Sequence, residues 1–296
     1  MGFKMLLHND AGTISAIPYA VLTLVVFGLF LAGMGVVVDA LVDVDNSMMG
    51  GTTVTTPRPT ASPTPTPDPG QIAAGTEHAL HLTGAGTLVE WARSDYQAGD
   101  HIDGSDIDMI AASLGHSFAL RNDGTVIAWG AGDYDDHHSP LNSPPDGNVV
   151  AISGGGVHVL ALLNDGTVIG WGEDWGQVTP PAGLTDVVAI AAGAGHSLAL
   201  KSDGTVVGWG ADSYGQASPP AGLTGVTAIA AGWTHSLALK SDGTVVAWGD
   251  DNVGQCSVPP GLDHVVMIAA SPMGSYSLAL TADGEVVQWG LMELLI

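Results

Sequence analysis

The chain has 296 residues, 46% of them hydrophobic, which is ample for a packed core and excludes general disorder. Its 30 Asp and Glu against 6 Lys and Arg leave a net charge of −24, so the polyanionic backbone of DNA or RNA is repelled and nucleic acid is excluded as a partner. One cysteine, Cys256, allows neither an intrachain disulfide nor a Cys-based zinc site, and an acid excess of this size is that of a surface kept hydrated in strong salt, which points to a halophilic source.

Residues 1–13 form a short leading segment, followed from Ile14 to Val38 by twenty-five residues without a charge. At 1.5 Å per residue a helix of this length crosses a hydrocarbon core of about 30 Å with some tilt, and it exceeds the apolar stretch of a cleavable signal peptide. The spacing therefore predicts a single transmembrane helix over 14–38. Lys4 precedes it and Asp39, Asp43 and Asp45 follow it, which sets the leading segment inside and the rest of the chain outside. Gly28 and Ala32 form a small-xxx-small pair able to seat a second helix, a route to self-association.

Residues 39–70 read as a linker, acidic at first and then Thr/Pro-rich. In TTVTTPRPTASPTPTPDPG, Thr52 to Gly70, the prolines lock φ and remove backbone donors, so an extended stalk is expected. Its Thr and Ser hydroxyls are candidate O-glycosylation points.

From Gln71 onward one phrase recurs. GHSLALKSDGTVVGWG at Gly195 returns at Gly115, Val157 and Thr234, with divergent copies at Glu77 and Ser275. The tryptophans Trp91, Trp129, Trp171, Trp209, Trp248 and Trp289 are spaced by 38, 42, 38, 39 and 41 residues, so six units occupy 71–296. Within a unit, VVAIAA, SLAL and TVVGW are β-rich. Asp-Gly between the second and third runs is a tight-turn signal in which the carboxylate accepts backbone N–H groups and the glycine takes φ > 0. The first copy has Ala85-Gly86 and lacks that carboxylate. Each unit is a three-stranded meander that buries its faces only by stacking on its neighbours, so the predicted fold class is an all-β propeller of six visible repeats behind a membrane helix and stalk.

The pattern AAGxxHSLALxxDGxVxxWGxxxxGQ, with PPAGLT between copies, resembles the repeat of the regulator-of-chromosome-condensation family, and in particular its bacterial relatives that include secreted β-lactamase inhibitor propellers. The resemblance spans Gln71 to Gly290. It implies a β-propeller that serves different functions through different loops. Members of that family usually have seven blades where six repeats are visible here, so the ring is either six-bladed or completed by a partner. The basic surface associated with chromatin binding is absent. The apolar run LMELLI, Leu291 to Ile296, is a candidate for the edge left by the abrupt start of the first copy at Gln71.

The recurring His, Ser and Asp look hydrolytic, but a nucleophilic triad needs one unique serine beside one base. Ala79 and Val159 replace the serine in two copies and Tyr276 replaces the histidine in a third, so these residues are expected to hold the architecture, with histidine bonding backbone between blades and tryptophan wedged between them. No catalytic residue and no cofactor are predicted. The loop GDYDDHHSP offers Asp133, Asp135, Asp136, His137 and His138, and GDHIDGSDID offers Asp100, Asp103, Asp106 and Asp108, as candidate ligands for a divalent cation, although neither has EF-hand spacing.

In a meander the turn before each histidine and the loop after each Trp-Gly lie at one end, and the Asp-Gly turns lie at the other. Entry at Gln71 from the Asp-Gly end points the loop face away from the membrane. That face gathers Leu114, Trp233 and Met273 from the turns and Tyr96, Tyr134, Trp175 and Tyr214 from the loops, which are candidate anchors for a protein or glycan partner. The Tyr-Gly-Gln element also reads as a blade-packing device. The functional expectation is a single-pass membrane protein, on a cell surface or virion, whose outward propeller binds another macromolecule without catalysis. The alternatives are a structural membrane protein of an envelope or haloarchaeal virus particle, and a metal-dependent enzyme using loop 133–138.

Overall fold

The computed structural model describes residues 71–75, 78–92, 106–130 and 147–291. Six separate sheets of three antiparallel strands follow one another along the chain, each in sequential order. Blade 1 comprises Gln71–Ala74, His78–Leu82 and Leu88–Ala92; blade 2 comprises Ile107–Ala112, His116–Arg121 and Val126–Gly130; blade 3 comprises Val149–Gly154, His158–Leu163 and Val168–Gly172. Blade 4 comprises Val187–Ala192, His196–Lys201 and Val206–Gly210; blade 5 comprises Val226–Ala231, His235–Lys240 and Val245–Gly249; blade 6 comprises Val265–Ala270, Ser275–Thr281 and Val286–Leu291. The repeated meander is the blade of an all-β propeller, as the sequence periodicity predicts. Among the described residues no helix is long and apolar enough to cross a membrane. The predicted span 14–38 and linker 39–70 lie outside the described residues.

The blades join because the middle strand carries large and small apolar residues on opposite faces. Leu160, Leu162 and Val168 of blade 3 pack onto Val187, Ile190, Ala192, Ala199 and Trp209 of blade 4, so leucines of one blade enter the space left by alanines of the next. The same construction joins blades 1 and 2, 2 and 3, 4 and 5, and 5 and 6. Trp171 meets Phe118 of the preceding blade edge-on at 6.3 Å. Burying each leucine this way contributes about 1.5–3 kcal/mol, which a lone three-stranded sheet could not gain.

The Asp-Gly turns form as expected. Asp203 Oδ1 accepts from Thr205 N at 3.0 Å and from Thr205 Oγ1 at 2.6 Å, while Gly204 has φ +80°. In blade 1 the missing carboxylate is replaced by Thr83, whose Oγ1 accepts from Thr87 N at 2.9 Å. A second irregularity is shared by blades 2–6. The first strand carries a register shift at its second residue, which turns Val150, Val188 and Val266 out to solvent within an otherwise apolar run.

Candidate functional site

The triad look-alike resolves into a chain of contacts between blades. His158 lies beside Ser197 of the next blade, with Nε2 and Oγ 2.9 Å apart, and the same 2.9 Å contact joins His196 to Ser236 and His235 to Ser277. Each serine hydroxyl donates in turn to a main-chain carbonyl: Ser197 to Gln177 O, Ser236 to Gln216 O and Ser277 to Gln255 O, at 2.8–2.9 Å. With its proton committed there, the hydroxyl can only accept from the ring, so each histidine is the neutral tautomer with its proton on Nε2. A catalytic base would hold its Nε2 lone pair toward the serine; here the polarity is reversed and every member is buried. His78 Nε2 lies 3.2 Å from His116 O, an acceptor that requires the same tautomer. The expectation that histidine bonds backbone between blades thus holds for blade 1, whereas in blades 3, 4 and 5 the partner is a hydroxyl.

Burial is the first cause that lowers the basicity of these rings, taking His158 and His235 to about 4 and His196 to about 3. His78 is lowered for the same reason. Space enforces the arrangement: a Cβ on Gly193 or Gly232 would sit 2.4 or 2.2 Å from Cε1 of the adjacent His196 or His235 ring.

The Gln carbonyls close a second contact, accepting Nε1 of Trp209, Trp248 and Trp289 at 2.6–2.9 Å. In blade 2 a carboxylate does this work. Glu90, projecting from the third strand of blade 1, accepts from Ser117 Oγ at 3.0 Å and from Trp129 Nε1 at 2.9 Å. Glu90→Ala leaves two partly buried donors without their acceptor and is expected to cost about 1–3 kcal/mol, read as a lower thermal midpoint, with Glu90→Gln restoring part of it.

The same glutamines shape the loop face. The side chain of Gln177 accepts from Trp175 N at 2.8 Å, that of Gln216 from Tyr214 N at 2.9 Å, and that of Gln255 from Val253 N at 3.1 Å. Each loop turns back at a glycine, as at Gly215 with φ +78°. The glutamine is therefore the packing element of the Tyr-Gly-Gln motif, and the residue before the glycine is presented outward. Trp175 is 67% exposed, Tyr214 53% and Trp233 50%; Leu114 and Met273 are also exposed. Trp175 leans toward the turn of blade 4, where a Cβ on Gly195 would be 4.0 Å from its Cε3. Tyr96 and Tyr134 lie outside the described residues.

Carboxylates occur at both ends, with Asp123, Asp165, Asp203, Asp242 and Asp283 in the Asp-Gly turns, whereas the described basic side chains are confined to one end. Glu173, Asp174, Asp212, Asp250 and Asp251 lie in the loops, while the described Lys and Arg residues, Arg121, Lys201 and Lys240, all end second strands beside the Asp-Gly turns. Asp212 and Asp251 also fold their loops, accepting from Ala217 N and Cys256 N at 2.8 Å. Cys256 occupies the same loop position as Ala217, and burial together with Asp251 and Asp250 pushes its thiol up to about 12, so it is inert.

Among the described residues no group of three or more His, Cys, Asp or Glu is placed to hold a metal ion. Asp133, Asp135, Asp136, His137 and His138 lie outside the described residues, as do Asp100 and Asp103. Asp106 is paired with Arg121 at 3.3 Å, and Asp108 is an exposed strand residue.

Residues 108–135, 187–216 and 226–255 match the regulator of chromosome condensation (RCC1) repeat. No curated protein sequence matches the chain. Among solved structures, Prp20p of Saccharomyces cerevisiae is 22% identical with a TM-score of 0.60, over 74% of this chain and 71% of that one. The CRINKLY WD40 ectodomain of the Arabidopsis thaliana receptor kinase ACR4 is 19% identical with a TM-score of 0.57, over 74% and 78%. The ectodomain of the Physcomitrella patens receptor kinase CR4 is 19% identical with a TM-score of 0.63, over 74% and 62%. At these identities the likeness establishes the fold. Prp20p has been studied for its binding to Gsp1p and histones, and has been crystallised with Kap60.

Proposed function

We propose that this chain is a recognition module: a propeller that binds another protein through its loop face, without catalysis, and is held outside a membrane by residues 14–38 and 39–70. One observation carries the reading. Trp175, Tyr214 and Trp233 are half or more exposed, and the main chain of the first two is held by buried glutamines at 2.8–2.9 Å. Rigid exposed aromatics lose little conformational freedom on binding and are typical energetic anchors of interfaces. The carboxylates around them favour a partner presenting Lys or Arg, whose side chains gain both from the charge and from the aromatic faces. In strong salt, where screening acts over about 3 Å, the aromatic contribution dominates. The protein binding recorded for Prp20p supports this use of the scaffold.

The test is affinity capture from surface extracts with the full chain and three variants. Trp175→Ala, Tyr214→Ala and Trp233→Ala are each expected to weaken retention of the same captured protein about tenfold or more while leaving the melting temperature unchanged. Retention that survives all three substitutions and is lost on changing Lys201 and Lys240 would place the binding surface at the opposite end.

A further inference from the structure

The turns that precede the buried histidines are bonded to one another at the loop face. Gly156 N donates to Gly193 O at 3.0 Å and Ala194 N to Gly232 O at 3.2 Å, so the turns of blades 3, 4 and 5 make one continuous floor. Each loop after a tryptophan starts from this floor. Glu173 N donates to Val157 O, Ala211 N to Gly195 O and Asp250 N to Thr234 O, at 2.8–2.9 Å.

The residue that receives the loop differs between blades. It is Val157 in blade 3 and Thr234 in blade 5, where the hydroxyl also donates to Asp250 Oδ2 at 3.3 Å. In blade 4 it is Gly195, whose φ is not positive, so the backbone itself does not require a glycine. A Cβ there would lie 3.6 Å from Ala211 Cβ and 4.0 Å from Trp175 Cε3, with nothing else outside the turn within 4 Å. The glycine therefore leaves a notch beside the Trp175 indole, floored by the half-buried Ala194 and Gly195. Trp233 stands exposed on the adjoining turn, one residue beyond the Gly232 carbonyl that Ala194 bonds.

Carboxylates border this notch. Asp212 directly follows Ala211, and its charge acts on His196, the residue after Gly195. Asp174 directly precedes Trp175; its Oδ1 accepts from Gly176 N at 2.7 Å, while its Oδ2 takes no hydrogen bond among the described residues. The described Lys and Arg residues all lie at the opposite end.

We propose that the notch takes an arginine side chain of the protein partner, with the guanidinium plane laid on Trp175 and its N–H groups turned to Asp174 and Asp212. This rests on the loop face being the recognition surface. A guanidinium fits such a place better than an ammonium because it is flat, weakly hydrated, and able to stack and hydrogen-bond at once. A neutral sugar would stack on the indole and leave the charge of the rim uncompensated.

The indole N–H resonances of the full chain, assigned with Trp175→Phe and Trp233→Phe, are followed as the capped tripeptide Gly-Arg-Gly is added. The matching citrulline peptide and methyl glucoside serve as neutral comparisons. The proposal expects a saturable shift at Trp175 with the arginine peptide and binding weaker by about tenfold or more with citrulline. Gly195→Thr, which installs the residue of blade 5, should weaken binding as much and leave the melting temperature unchanged. Asp174→Asn, which keeps an acceptor for Gly176 N, should weaken it several-fold. No saturable shift, equal binding of citrulline, or binding indifferent to both substitutions would overturn the proposal. So would saturation by methyl glucoside without any by arginine, which would make this face a glycan reader. Capture that depends on Trp175 in a chain that ignores the arginine peptide would remove the notch alone and leave the recognition surface standing. The expected shift, in a chain whose capture is indifferent to the three aromatic substitutions, would keep the arginine site and remove the surface's role in that capture.

Discussion

Lowering the pH from 7 toward 4 is expected to unfold the propeller before its carboxylates are neutralised. In the unfolded chain a histidine takes its proton near pH 6.5, whereas in the fold His158 and His235 resist protonation to about 4 and His196 to about 3. Between these values the unfolded chain binds protons that the fold refuses, so stability is fully present above pH 6.5 and is lost as the pH falls. Each pH unit of separation is about 1.4 kcal/mol per ring, and three rings together remove on the order of 10 kcal/mol, comparable with the whole stability of an ordinary domain. Asp123, Asp165 and Asp203 are held below the usual carboxylate range, and Asp242 at about 2, by hydrogen bonds from the following threonine, so they titrate too low to drive this transition. Tryptophan fluorescence against pH should show a cooperative change above pH 4. His196→Gln, which keeps an N–H donor for Ser236 but cannot titrate, should move the midpoint to lower pH. A midpoint below pH 4 that this variant leaves unmoved would show that the buried rings do not govern acid stability.

Leu237→Ala should be among the most destabilising single truncations in the core. Leu237 is fully buried in the cluster that joins blade 5 to blade 6, among Ile268, Ala270, Ala279 and Trp289. Its removal leaves a cavity between rigid sheets that cannot close on it, a loss of about 3–5 kcal/mol. Val188→Ala, at a solvent-facing strand position, should cost no more than about 0.5 kcal/mol. Denaturant titration measures both. Because each blade touches only its neighbours, the leucine variant is also expected to lose two-state behaviour, with blade 6 releasing before the rest. Equal midpoints for the two variants would refute the interlocking account of the interfaces.

The local structure was legible in the sequence because it is set by local rules: alternation of apolar residues, the Asp-Gly turns, and a period near forty residues. The first strand of blade 4 begins at Val187, where the apolar run predicts it. The contacts between blades were less legible. His158 and Ser197 are 39 positions apart, and nothing in either copy alone says which hydroxyl a histidine meets or which nitrogen bears the proton. Glu90 escaped notice, although a charge at a position occupied elsewhere by Ala128, Gly170, Gly208 and Ala247 was a usable signal. The sequence pattern predicts Trp91 to be a wedge like the other tryptophans; no blade packs over it among the described residues, and it stands half exposed. In the Tyr-Gly-Gln motif the sequence pattern could not separate the buried member from the displayed one, because both recur with the same period.

The proton on each Nε2 gives the repeat array an arrow. Every handshake runs from a lower-numbered module to a higher one, so any donor edge fits any acceptor edge downstream. Excising residues 187–225 as a unit would bring His158 to face Ser236 with the same chemistry it now has with Ser197, whereas a cut through the middle of a module would strand a donor on one side and an acceptor on the other. An array built this way can lengthen or shorten during evolution only in whole modules, and the aromatic carried by each loop is gained or lost with its module.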